Sequence, residues 1–532
     1  MTATVQQSAT KSPSPAIATN PYVGVLGVFL GAATATLNGR LISVGLPDLR
    51  GALGFGFDEA SWIPTVLNMA TMFIGVFAVF LGSAYGIRRV LLVAGTIFTL
   101  TSLLLPLFPG LPAMLVLQAV AGVSSGTFYT LTLSFVVRSL PPKLLLFGVA
   151  AYAMDIVVSS NVAALMEGWY IDHLSWHWIF WTAAVLTPMM MLCIYFGVPP
   201  ADNGPRPSWR GFLYASAGFA MIYGALDQGQ RLDWWNSGVF VGLLAGGIFL
   251  LLVSFVRRYI QPNPLINLPF LNARNIIILG LGIVTIRFVL LAPLAAIPGF
   301  LGSIAQYRPI QTGAALAWVA IPQFALVWVA AFVTVFVQPR IVMAGGFATI
   351  AIACWMAARL DSQWAGRSFE ALELILATGI AVAFVALVVN LLLLAAEVGA
   401  ATNVVNASTY AAWMHTMRLL GGEVGAVVFG RFVAVREQLH SNQLGYHVSA
   451  GDWITDDRLH GMALSLMPSS AGPQEAAARS AAILGGQVRV QALSLAYSDA
   501  FLLIGWAIAG YLLLVVCMRP GSLSLRPKEK TA

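Results

Sequence analysis

About fourteen apolar runs, each long enough to cross a bilayer, take up most of these 532 residues. A hydrocarbon core about 30 Å thick needs about twenty residues of helix per crossing. Inside it no water is present to satisfy backbone N–H and C=O groups, so each run is read as a helix. The rest of the composition agrees. The chain is 59% hydrophobic and only 9% charged, against about a quarter charged in soluble domains. The expectation is an all-α integral membrane protein with about fourteen transmembrane helices.

The runs fall near 22–46, 62–82, 89–108, 111–136, 144–168 and 177–197, then near 210–228 and 237–257. Six more fall near 275–303, 312–337, 340–358, 371–396, 405–434 and 496–518. Prolines stand at many of the junctions, among them Pro47, Pro106, Pro109, Pro141, Pro142, Pro199, Pro200, Pro262 and Pro264. The first run, from about Tyr22 to Pro47, is too long for a cleavable signal and lacks its flanks. Residues 1–21 read as a disordered tail, 22–198 and 261–518 as two six-helix halves, 199–260 as two inserted spans and 519–532 as a basic tail.

Basic residues alternate between the two sets of loops. One set carries Arg88, Arg89, Arg138, Lys143, Arg206, Arg210, Arg257, Arg258, Arg274 and Arg340, and the tail adds Arg519, Arg526, Lys528 and Lys530. The short loops of the other set carry only Arg50, Arg231, Arg308, Arg359 and Arg367. The positive-inside rule puts the first set, and with it both termini, in the cytoplasm. The net charge of +7 is thus a topology signal and not a nucleic-acid footprint. One loop on the other side is long: 436–491 is polar and dotted with Gly, Ser and His, with Gln474–Leu484 weakly helical. It reads either as a mobile loop or as a docking surface.

No Walker loop, Ser/His/Asp set or HExxH pattern is evident, so ATP-driven and hydrolytic roles lack support. Cys193, Cys354 and Cys517 lie inside apolar runs without disulfide or zinc spacing. No cofactor, metal or nucleic-acid partner is expected. Asp58 ahead of the second run reads as a helix cap, with Glu59 favouring the helix dipole.

Short signatures recur at fixed places. Gly45, Leu46 and Pro47 close the first run, Trp62 opens the second, and a turn of Gly86, Ile87, Arg88 and Arg89 follows it. Trp176 to Phe180 opens the sixth, Asp233 with two tryptophans follows the seventh, and Pro264 to Leu268 precedes the ninth. Met417 to Gly425 lies in the thirteenth, and Ala496 to Phe501 begins the fourteenth. Together these resemble the fourteen-span drug:proton antiporters of the major facilitator superfamily, over about residues 22–518. The resemblance implies two six-helix bundles around a central cavity, spans seven and eight inserted between them, and alternating access. It also implies export of small molecules against protons from a bacterial inner membrane, and a periplasmic adaptor protein that would engage loop 436–491.

The chain departs from the family pattern where coupling residues are usual. Asn38 stands for an acid, Arg40 for a threonine, Ser83 for an aspartate and Gln118 for an arginine. The span-five motif reads Ala163, Ala164, Leu165, Met166, Glu167, Gly168, without its Gly-Pro bend. Other ionisable groups occupy the runs instead. Burying one at mid-membrane costs on the order of 2.5–3.5 kcal/mol, so each needs a partner or a function. Asp155 lies roughly 15 Å into the fifth run, with Tyr152 and Ser159 on its face. Arg40 and Glu167 have similar depth and are expected to pair, as a static bridge or as a gate latch. Arg287 sits near the midplane, suited to an anionic group or an acid partner. Arg418 and Glu423 lie about 140° apart on one helix and do not face each other. The glycines of that helix signal close packing.

The leading expectation is proton-coupled export of amphipathic or aromatic compounds, with a buried acid such as Asp155 favouring one access state. An uptake symporter or uniporter of the same fold stays open because the span-five motif is altered. A non-transporting receptor or assembly subunit using the long loop is the third reading.

Overall fold

The computed structural model describes residues 20–200, 210–260, 271–397, 399, 404–449 and 451–518. Arg206, the motif from Pro264 to Leu268, the tail over 1–19 and the basic tail from 519 lie outside the described residues. Helices follow the apolar runs in order: α1 (Pro21–Val44), α2 (Phe57–Tyr85), α3 (Ile87–Leu104), α4 (Leu111–Ser139), α5 (Pro142–His173) and α6 (Trp178–Gly197). Next come α7 (Arg210–Gly229) and α8 (Gly238–Ile260). The second half holds α9 (Arg274–Val289, a π-helical turn Ala292–Ala296, then Ile297–Ser303) and α10 (Pro309–Ala317 and Ala320–Phe336). It closes with α11 (Pro339–Ala357), α12 (Glu370–Glu397), α13 (Val404–Gly445) and α14 (Pro473–Val516).

Eleven of these are long and apolar enough to cross a membrane. The other three, α5, α7 and α13, each carry acids along their length: Asp155 with Glu167, Asp227, and Glu423. Helices start where the sequence supplies a start. Proline occupies the first turn of α1, α4, α5, α10, α11 and α14, where its missing N–H removes no bond. The α2–α3 turn needs glycine, because Gly86 has φ +86. Beside it Arg88 stacks 4.6 Å over the Tyr195 ring of α6, fixing the basic turn against the bundle. At the same end Arg340 donates to the Met518 carbonyl, 2.6 Å away, and satisfies the last turn of α14. We refer to this side, with Arg88, Arg89, Arg257, Arg274 and Arg340, as the basic end.

Two cores divide the molecule. In the first half, α1 packs on α4, α5 and α6, α2 on α4, and α3 on α6, around Leu41, Ile63, Phe98, Phe128 and Phe180. In the second, α11 packs on α12 and α14, and α13 on α9 and α14, around Phe300, Phe347, Phe369, Phe501 and Ile504. The halves meet through α5 against α10 and α2 against α13. Helix α7 lies across the second seam. Helix α7 packs on α2 and α13 through Met72, Val76, Ala220, Tyr223 and Ala412. Helix α8 touches mainly α7 and exposes Ile248, Phe249 and Leu252. Exposed apolar side chains such as these, with Ile321, Phe332 and Leu513, suit contact with lipid and not water.

The segment expected as a long loop over 436–491 is mostly helix. Helix α13 runs 42 residues and α14 runs 44, each about twice what a bilayer requires, and a further helix, Trp453–Leu466, joins them. Asp499 ties the hairpin together: its Oδ2 accepts from Arg436 Nη2 at 2.6 Å and lies 2.7 Å from His440 Nε2. Hydropathy hid these helices because their polar, alanine-rich turns carry no apolar stripe; helix propensity and packing form them. A second local correction concerns Asp58. It does not cap α2; Gly56 holds the cap position, with its N–H bonded to Glu59 Oε2 at 3.0 Å, while Asp58 pairs with Arg231.

Candidate functional site

A file of three cavities runs along one face of α9 between the halves. The innermost is lined by Tyr129, Tyr152, Arg287, Phe384, Met414 and Arg418, from both halves. The middle one shares Leu290 with it and is lined by Asn161, Gln323 and Glu373. The third shares Asn161, Pro293, Leu294 and Leu316 with the middle one and reaches Arg40, Tyr307 and Thr312 away from the basic end, with about 210 Å³ open to water. Leu290 and Leu294 therefore form the walls between compartments. The π-helical turn of α9, Ala292–Ala296, falls at the same level, and such turns are frequent at functional sites.

The innermost cavity is strongly cationic. Arg418 lies 3.6 Å from the centroid of the Tyr129 ring, a cation–π contact, and the Tyr129 and Tyr152 rings lie 5.1 Å apart, tilted by 48°. Arg287 reaches across from α9 over Gly422 of α13; a Cβ at 422 would sit 2.8 Å from its Nε. Glycine at that position makes room for the guanidinium. Its neighbours Gly421 and Gly425 bring α13 onto Val284 and Phe288, as close packing predicts. The Nε atoms of Arg287 and Arg418 are both buried without a hydrogen-bond partner. Arg287 lies close enough to feel Arg418 on one side and the Glu423 carboxyl on another, and Arg40 in turn feels Arg287.

Carboxyl groups collect elsewhere. Glu423 contacts Asp227 and Tyr223 of α7, with Arg287 near but beyond ion-pair distance. Asp227 also accepts from Thr65 of α2 and from Gln228 Nε2 at 3.4 Å. Gln228 continues to the Ser61 carbonyl at 3.2 Å, and Arg231 to Asp58 at 2.8 Å. Two carboxyl groups side by side away from water repel each other when both are ionised. Glu373 takes a hydrogen bond from Trp318 Nε1 at 3.1 Å where α10 is interrupted, and its other oxygen is buried without a partner.

Several expected residues are placed differently. Among the described residues no ion pair joins Arg40 to Glu167. Glu167 is fully buried, with both oxygens lacking a hydrogen-bond partner, beside Asp48, while Arg40 turns into the cavity. Asp155 neighbours Tyr152 as its helix spacing predicts, with Oδ2 unpartnered. Gln118 is wholly buried and neither amide atom has a partner; Asn38 is buried too. Gly86 and Arg88 shape the basic turn, and Ser83 bonds back to the Phe80 carbonyl at 2.8 Å. Asp227 and Glu373 were not singled out from sequence, since each stands near the polar end of an apolar run. Asn161 also joins the halves, donating to Gln323 Oε1 at 2.9 Å.

Three comparisons bear on this arrangement. The family model described as Major Facilitator Superfamily matches residues 28–426. "Probable multidrug resistance protein EmrY" of Escherichia coli is 25% identical over 319 residues, which is 59% of this chain and 62% of that protein. "Multidrug export protein EmrB" of Haemophilus influenzae is 22% identical over 502 residues, 93% of this chain and 95% of that protein. Among solved structures, the proton:xylose symporter XylE superposes with a TM-score of 0.54 at 12% identity, over 92% of this chain and 95% of that one. At that identity the likeness concerns the fold alone.

Proposed function

The chain belongs to the Major Facilitator Superfamily, and on that premise we propose that it exports amphipathic small molecules by alternating access, driven by protons. One observation carries the reading: a charged cavity lies where the two halves meet, and glycines bring the halves into direct contact beside it. A Cβ at Gly168 of α5 would lie 2.6 Å from Ile310 Cα, and one at Gly313 of α10 would lie 2.5 Å from Leu165 N. Contacts this close form when the halves rock together and part when they rock back. The name of the EmrB relative states multidrug export and that of the EmrY relative multidrug resistance, and both support the reading.

All fourteen helices cross the membrane in this reading, with the basic end in the cytoplasm of a bacterial inner membrane. The acids that could load and release protons are Asp155, Glu373 and the Asp227–Glu423 pair. A proton drives the cycle only if the two access states bind it with different affinity. The helical hairpin over 436–491, which exposes Tyr446, Trp453 and Ile454, would serve as the docking surface for a periplasmic adaptor.

The test is substrate-panel efflux from a pump-deficient host, with and without a protonophore. Export that stops when the proton gradient is dissipated supports the reading; concentrative export that persists refutes the coupling. Net accumulation inside right-side-out proteoliposomes would instead favour uptake.

A further inference from the structure

We infer that the innermost cavity binds the anionic head of an amphipathic organic acid, held between Arg287 and Arg418, with its apolar body against Phe384, Leu387, Val388 and Met414. The inference rests on the export reading and names its substrate class.

Three observations carry it. First, two guanidinium groups lie in one cavity with buried Nε atoms lacking partners, and a third, Arg40, stands near enough along the file to repel Arg287. Like charges drawn together away from water are stable only with a counter-charge. Second, among the described residues the protein does not supply one. No carboxylate lies within ion-pair distance of Arg287, Arg418 or Arg40. Of the acids packed nearby, Glu423 contacts Asp227 and Tyr223 and acts on Arg287 only from beyond ion-pair distance, while Asp155 lies beside Tyr152 and outside the lining of the cavity. Third, the remaining wall suits an apolar or aromatic body: Ile283, Ile286, Phe384, Leu387, Val388 and Leu391. Tyr129 fixes the orientation of Arg418, leaving its donor edge for a carboxylate or sulfonate, which guanidinium groups grip through paired N–H bonds. In this conformation the cavity has about 30 Å³ for water, so it widens to take a ligand as the halves part.

The sequence alone left the substrate's charge open, because it offered Arg40 and Arg287 against Asp155. Position resolves the choice. The arginines line the cavity file, whereas Asp155 is absent from the linings of all three cavities described above.

Three probes share one body and differ in charge: pyrenebutanoate, pyrenebutanol and pyrenebutylammonium. Their binding to the purified full-length protein in nanodiscs is measured by fluorescence, against empty nanodiscs. The expected result is binding of the carboxylate at least tenfold tighter than the ammonium. Arg287→Gln and Arg418→Gln should each weaken it tenfold or more, and Arg287→Lys should recover part of the loss. Should either glutamine variant fail to fold, Gly422→Ala displaces the Arg287 guanidinium without removing its charge and should also weaken binding. Equal or tighter binding of the ammonium, or wild-type affinity in the folded arginine variants, overturns the inference. Vesicle transport separates the two readings. Anion binding without proton-driven export sinks the transport reading and leaves the site; export of cations alone does the reverse.

Discussion

Charge is buried in two neighbouring regions of this molecule in opposite ways. At the centre, Arg287 and Arg418 face a cavity with no acid in ion-pair reach. One helix away, at the seam of α2, α7 and α13, Asp227 and Glu423 lie against each other within a net of Thr65, Tyr223 and Gln228. Burying an ion costs several kcal/mol unless a partner repays it. The seam finds its partners internally, in the hydrogen bonds from Thr65 and Gln228 to Asp227. The centre finds none, and so is suited to an external one. Helix α7 thus acts as more than a spacer: it supplies Asp227 and Tyr223, which contact Glu423.

The most severe way to break this contrast is to dissolve the carboxyl pair. Asp227→Asn or Glu423→Gln leaves the other carboxyl beside a neutral amide, which does not repel its ionised form. Proton-driven export should fall at least tenfold in either variant, while exchange of substrate across vesicles without a gradient continues. A double variant should lose no more than the worse single one, because the two groups act as a unit. Gradient-driven export at wild-type level in both single variants would remove the seam from the coupling scheme.

Glu167→Gln sharpens the comparison from the other side. Glu167 is buried beside Asp48 without a hydrogen-bond partner, and no arginine reaches it. If it carries only a static burden, the glutamine variant should transport within about twofold of wild type and melt no lower, since a neutral amide beside Asp48 relieves the repulsion between adjacent carboxyl groups. A loss of tenfold or more would make it a second proton site.

The contrast between centre and seam was only half visible in the sequence. The apolar runs and the basic turns follow from counting residues, because the bilayer sets helix length. Depth and azimuth on a single helix also follow, and they correctly keep Arg418 from Glu423. What counting cannot supply is which helix stands opposite. Arg40 and Glu167 share a depth, yet α1 turns Arg40 into the cavity and Asp48 occupies the space beside Glu167. Asp227 reads as a loop residue until α7 is laid on α2 and α13, where Thr65 and Glu423 surround it. Glu373 reads as the polar start of a run until Trp318 covers it. Helix-to-helix pairing is non-local information, and single-helix periodicity does not contain it.

Smaller effects should mark the edges of the seam. Arg231 bridges Asp58 and Gln228 and lies 5.6 Å from the Trp62 ring. Because Asp58 is 78% exposed, solvent screens most of that ion pair, so Arg231→Ala should cost only about 1 kcal/mol, chiefly through Gln228 and Trp62. A loss measured by thermal unfolding with export kept above half of wild type would show that the carboxyl pair, and not the rim, holds the function. The weakest effect belongs to Asp499, far from both regions, where Arg436 and His440 converge on one carboxylate oxygen. These groups are partly open to solvent, and Asp499→Asn should cost about 1 kcal/mol or less. Salt should shrink that difference further, while ligand binding at Arg287 and Arg418 stays unchanged. Were this substitution to weaken pyrenebutanoate binding as much as Arg287→Gln does, the centre would be responding to the hairpin and not to its own charges.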